Sequence, residues 1–253
     1  MLFAWLKRRR RQRLLREEFS QQWLDYLEQW APFYAHLTPE EQEKLRDDVR
    51  LFIAERHWEG CNGFTVTEEI RVVVAAYACL LVLSHSVDDY HKVDTILIYP
   101  EPYLAMKSSF PRSEPVPVAW RHGESWSDGP VILTWDKIVD DIQGQDGENL
   151  ILHEFAHQLD MHDRFADGIP QLGSQAQYES WKETMDQEFW QLNQDAESGR
   201  PTLLDYYGAT DEAEFFAVCT ECFFLKAKAM QDRHPRLYEM LAEFYRQDPA
   251  RRL

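Results

Sequence analysis

The longest apolar stretch of the chain runs from Val72 to Leu83. It falls short of the roughly 18 to 20 residues that cross a bilayer, so it predicts a buried helix and no membrane span. Thr67, with Glu68 and Glu69 behind it, starts that helix, which runs from about Thr67 through Leu83. Thr38-Pro39-Glu40-Glu41 is a second start: a Thr cap, Pro at the first position, then acids at the positive end of the dipole. It predicts a helix from Pro39 to about Arg56. Upstream, Leu14, Leu15, Phe19, Trp23, Tyr26 and Leu27 recur at helical spacing and predict one helix with a basic end. The middle of the chain changes character. Asp94 to Tyr99 reads as a strand stopped by Pro100, Val131 to Trp135 as a second, and Val116 to Trp120 as a third. Phe110 to Pro117 carries three prolines and reads as an irregular loop. From Asn149 helices return, with breaks around Gly168-Ile169-Pro170 and Arg200-Pro201. Helices, a small sheet and helices again predict an α+β fold without a βαβ rhythm.

Composition narrows the class. Hydrophobic residues make up 44% and aromatics 13% of the 253 residues, enough for a packed core and too much for wholesale disorder. The formal charge of −17 repels phosphate backbones, which argues against direct nucleic-acid binding. Four cysteines are too few for a disulfide-stapled secreted module. The apolar residues up to Leu6 precede the basic run Lys7 to Arg11, the reverse of a secretory signal. A cytoplasmic protein is expected, with residues 1–18 a basic tail or helix start and 19–253 a single domain. The bland reading of the basic head is a solvated helix end, set against a membrane or partner anchor.

The chemistry concentrates in Leu150 to Asp160, which contains His153-Glu154-Phe155-Ala156-His157. Two histidines four apart on a helix are offset by about 40° and rise about 6 Å, so both imidazoles face one side and suit a single zinc ion. Glu154 stands beside them, where a carboxylate takes a proton from an attacking water. Leu150, Ile151, Leu152, Phe155, Ala156 and Leu159 make the segment apolar. Burying two His and a Glu there without partners costs several kcal/mol, a cost a metal resolves. By composition alone the pattern arises in roughly one chain in a hundred of this length.

A catalytic zinc needs a third protein ligand. His162, Asp160, Asp163, Asp167 and later glutamates are candidates. His162 is nine places after His153, not the metzincin's ten, and no Gly precedes it. In Asp211 to Val218, Asp211 caps a helix in which Glu214 sits among Phe215, Phe216 and Val218, a carboxylate in want of a cation. Glu221, seven residues on, is the competing ligand or an acid behind the site. Glu212 reads as a residue of the first turn that meets the dipole.

Residues 150–160 and 205–218 resemble the Mlc titration factor A peptidase family. So do Gly123 to Trp135, Ile96 to Pro100 and Phe244 to Pro249. The similarity covers roughly residues 30–250 and is more specific than the zinc motif alone. The family is similar in its catalytic core to the anthrax lethal factor protease domain, which implies a mainly helical zincin-like core with a small sheet. The resemblance implies a cytosolic zinc metallopeptidase of aminopeptidase type, one zinc per chain, acting on a peptide or protein. It also implies binding of the glucose repressor Mlc in enterobacterial members. Carried over by matching motif, the ligands are His153, His157 and Glu214, the base is Glu154, and Tyr207 stabilises the transition state.

Other expectations stand beside these. Tyr207 is a donor to the developing oxyanion or an ordinary buried aromatic. Asp160 orients an imidazole or is a solvated helix-end acid. The strand ending at Trp135 pairs with an extended peptide at its edge or belongs to the core. Cys219 and Cys222 read as buried thiols, since a redox pair opens a helix after a strand and a structural zinc needs a second pair. A protein that sequesters a transcription regulator without turnover is the competing class, and an intact zinc site does not exclude it.

Overall fold

The computed structural model describes residues 2–104, 120–121, 123–124, 129–144, 147–163 and 165–252. The elements run α1 (Leu2–Leu14), α2 (Gln21–Trp30), α3 (Pro39–Glu55), β1 (His57–Gly60), α4 (Glu68–Leu81) and β2 (Thr95–Tyr99). Three two-residue strands follow, β3 (Tyr103–Leu104), β4 (Trp120–Arg121) and β5 (Gly123–Glu124), then β6 (Val131–Thr134) and α5 (Trp135–Gln143). The chain closes with α6 (Leu150–Asp160), α7 (Gln175–Ser198), α8 (Glu212–Leu225), α9 (Ala227–Arg233) and α10 (Pro235–Tyr245).

The predicted helices at 39–56 and 67–83 are α3 and α4. The Thr38 hydroxyl accepts the Glu41 N–H at 3.2 Å while the Glu41 carboxylate accepts the Thr38 N–H at 2.9 Å, a reciprocal cap on α3. Thr67 caps α4 through the Ile70 N–H. Ile70 and every residue from Val72 to Leu81 are buried, so α4 is the central pillar, packed on α2, α3 and α6. An apolar helix buried on all sides needs neighbours on all sides.

The upstream helix differs from expectation, because it is two helices separated by residues 15–20. The Arg50 guanidinium on α3 donates to the carbonyls of Leu14 and Glu17, satisfying acceptors that the break frees. The basic head is α1, helical from Leu2 to Leu14.

The sheet also corrects the sequence reading. Its order is β1-β2-β6-β5, with β1, β2 and β6 parallel and β5 antiparallel to β6. β1 reaches its parallel neighbour β2 through α4, so a βαβ crossover exists where none was expected. The sequence hides it because β1 is His-Trp-Glu-Gly, a half-exposed edge strand without an apolar run. The strand predicted to end at Trp135 stops at Thr134, and Trp135 opens α5. The apolar spacing Trp135, Ile138, Val139 and Ile142 carried the sign of that helix. β6 pairs on both sides, so it is an interior strand, and among the described residues β5 is the last strand on that side. Phe110 to Pro117 and residues 116–119 of the third predicted strand lie outside the described residues.

Candidate metal centre

Helix α6 is set by its buried positions. Ile151, Leu152, Phe155 and Ala156 are fully buried, which fixes the rotation of the helix and leaves His153 and His157 half-buried on the side facing α8. Its first turn is held from three directions. The Asn149 side chain accepts the Leu152 N–H at 3.0 Å. Asp141 accepts the Leu150 N–H at 2.8 Å, and Glu221 accepts the Asn149 N–H at 2.5 Å. Asp141 had no mark in the sequence, since an acid in the exposed turn of a helix looks the same before the chain is folded.

Helix α8 brings the carboxylates. Asp211 caps it through the Glu214 N–H at 2.9 Å, which places Glu214 in the first turn. Glu214 Oε2 lies 2.9 Å from His153 Nε2 and 3.4 Å from His157 Nε2, and the two Nε2 atoms are 3.2 Å apart. These three residues form a group able to hold a metal ion. Ligand atoms about 2.0 to 2.1 Å from a tetrahedral zinc lie about 3.3 Å from one another. The observed triangle has about those edges, so two imidazoles and a carboxylate fit one ion.

Glu221 takes a different position. Its Oε1 meets His153 Nδ1 at 2.7 Å, on the opposite edge of the ring from Glu214. A carboxylate there accepts the Nδ1–H, so that with an ion bound the Nε2 lone pair would be the one free to face it on the Glu214 side. Burial works against a charged His153, yet Glu214 and Glu221 together hold its pKa well above the usual value. Burial works to raise the Glu214 carboxyl as well, and the bonds from His153 and His157 outweigh it, so it stays below the usual carboxylate range. Both shifts express a pocket that demands positive charge.

The other residues singled out in the sequence take different positions relative to this group. Glu154 is buried beside His153, close enough for its charge to raise the histidine pKa. Tyr207 is 54% exposed, which removes the buried-aromatic alternative, and its ring centroid lies 5.8 Å from that of His153. It stands on a 3-10 turn, Tyr206–Ala209, fixed by Asp205 accepting the Tyr207 N–H at 2.7 Å and by the Thr210 hydroxyl donating to the Tyr207 carbonyl. Glu212 is exposed in the first turn of α8, as expected. His162 is apart from the group, its ring against His91 at 5.1 Å.

Asp160 fits neither expectation. It is fully buried, one oxygen accepts the Gly168 N–H at 3.0 Å, and the other has no hydrogen-bond partner among the described residues. Burial pushes its pKa up to about 7. It thereby pins the loop after α6, where Gly168 has φ +72° and a Cβ would stand 2.4 Å from the Glu212 carbonyl. Cys219 and Cys222 are free and buried, and burial raises both thiols, that of Cys222 to about 12. Burial thus works against the thiolate form that redox chemistry needs.

A model of the glucose-regulated metallo-peptidase M90 family matches residues 5–246. The protein slr2042 of Synechocystis sp. is 40% identical over 249 residues, 97% of this chain and 90% of its own length. Mlc titration factor A of Salmonella agona is 32% identical over 235 residues, 88% of this chain and 85% of its own. The protein of the same name from Klebsiella pneumoniae is 31% identical over the same shares.

Proposed function

The chain belongs to the glucose-regulated metallo-peptidase M90 family, and from that membership we propose that it is a zinc-dependent peptidase of aminopeptidase type working in the cytosol. What carries the reading is the convergence of His153, His157 and Glu214 on one point, with edges of 2.9 to 3.4 Å. These three residues would hold the ion, and Glu221 would keep His153 in the tautomer that does so. When bound, zinc supplies a Lewis acid that polarises the scissile carbonyl and lowers the pKa of a water toward about 7. Glu154 takes the proton of the attacking water and passes it to the leaving amine. Tyr207, exposed beside His153, donates its hydroxyl to the developing oxyanion.

The core is read as zincin-like: α6 packs against β6 and β5, and β5, the last strand on that side among the described residues, would be the place for an extended peptide to pair. The four free cysteines suit a reducing compartment. The test is hydrolysis of short peptides with free and with acetylated amino ends, before and after chelation and zinc restoration. Turnover of the free-amino peptide, lost on chelation and restored by zinc, is expected. Undiminished turnover in the stripped protein contradicts the reading.

The name of the relatives, Mlc titration factor A, favours a second reading. In it the protein binds an Mlc-like transcriptional repressor and so acts on sugar uptake, without peptide turnover. A purified Mlc-like repressor that is bound and left intact by a protein inactive on every peptide supports this reading.

A further inference from the structure

Helix α1 is held to the body by one face. Arg11 makes paired hydrogen bonds to Glu55 at 2.6 Å and to Asp88 at 2.7 and 2.8 Å, and Lys7 reaches Asp88 at 2.8 Å. Arg10 donates to the Ala54 carbonyl at 2.8 Å. Lys7, Arg11 and Leu14 follow one another at helical spacing, so they define the docked side. The outward side carries Leu6, Arg9 and Arg13, with Trp5 beside them and exposed Arg16 in the turn that follows the helix. Trp5 is 53% and Leu6 48% exposed, and the Arg9 guanidinium lies over the Trp5 ring at 5.2 Å. Residues 7–16 carry seven positive charges and no acid, on a chain whose net charge is −17.

We propose that α1 is a docking ridge for an anionic phospholipid surface. The charge complementarity is local. Attraction and repulsion both fade within a Debye length of about 8 Å, so a basic ridge in contact with headgroups outweighs acids set behind it. The order of residues favours lipid over other polyanions. Trp5 and Leu6 at one end give an apolar foot that enters the headgroup boundary, while the arginines lie along it with their stems on apolar surface and their charges at phosphate level. A duplex nucleic acid has no use for an exposed Trp-Leu end next to the arginine row. The helix is too short to cross a bilayer, and no helix of the described residues is long and apolar enough to do so. The contact is therefore peripheral and salt-sensitive, and it is independent of the peptidase reading.

The experiment is flotation of the full chain with vesicles of phosphatidylcholine alone and of phosphatidylcholine mixed with phosphatidylglycerol, across a salt series. Binding to the mixed vesicles only, weakening as salt rises, is expected. The triple variant Arg9→Gln, Arg13→Gln, Arg16→Gln should lower partitioning about 100-fold, since each basic side chain at such a surface contributes about five-fold. Trp5→Ala should lower it further while leaving salt dependence in place. These positions are exposed, so an unchanged circular dichroism spectrum and unchanged melting verify the fold. Equal binding to both vesicle types, no binding to either, or full binding by the triple variant overturns the proposal. Retention by double-stranded DNA with no vesicle binding also overturns it and makes nucleic acid the occupant.

Discussion

At the scale of single residues, Glu154 separates chemistry from binding. Gln is nearly isosteric, and Glu154 is assigned to the water and not to the ion, so Glu154→Gln should keep metal and fold and lose hydrolysis by about 100- to 10,000-fold. The same variant should bind a repressor as well as the wild type under either reading, and should fail in the cell only if cleavage is the biological act. Wild-type hydrolysis by it would remove the mechanism. Glu214 and Glu221 divide first contact from support. Metal analysis after dialysis should find Glu214→Ala depleted of zinc, and Glu221→Ala weakened about 10- to 100-fold because His153 loses its orienting partner. Loss in Glu221→Ala with full retention in Glu214→Ala would exchange their roles.

Asp160 makes stability depend on pH in an unusual direction. Its folded pKa is raised to about 7 from an ordinary 3.8. Between those values the folded protein keeps a proton that the unfolded chain releases, so stability falls as pH rises through this window. Asp160→Asn keeps an acceptor for the Gly168 N–H and removes the buried charge. In metal-free protein it should be more stable than wild type at pH 8, by about 1–3 kcal/mol, and equal to it near pH 4. Urea melts at the two pH values measure this, and a difference of the same size at both would be against it.

At the scale of elements, α1 is a helix clasped by ion pairs where composition alone suggests a loose terminus. Those pairs are partly exposed, so they stabilise weakly. A chain starting near Glu17 should melt a few degrees lower and hydrolyse peptides at the wild-type rate, because α1 approaches none of the proposed ligands. An inactive truncation that melts normally would show that α1 takes part in the site.

For the whole molecule, the decisive contact is α6 against α8, which assembles the site from parts 61 residues apart. An ion held by ligands on both helices binds the folded chain and not the unfolded one. At a free zinc concentration about 100 times the dissociation constant this adds about 2.7 kcal/mol, or roughly 5–10 °C for a chain of this size. Calorimetry with and without chelator measures it. Glu214→Ala should melt at one temperature in both conditions, and a full shift in that variant would place the ion elsewhere.

The sequence by itself determined the local chemistry. His153 and His157 share a helix face because 3.6 residues make a turn. Thr38 and Thr67 cap because their hydroxyls reach the next turn. Val72 to Leu83 is buried because it has no polar face to show. These are effects of neighbours along the chain, and Glu214 belongs with them insofar as an acid among Phe215, Phe216 and Val218 asks for a cation. Tertiary structure alone decided the rest. It set Glu214 and Glu221 on opposite edges of one imidazole, exposed Tyr207, sank Asp160 under Gly168, paired β1 parallel with β2 and closed both sides of β6. Each of these rests on contacts between segments far apart in the chain, where the choice of partner follows from which surfaces fill the same space.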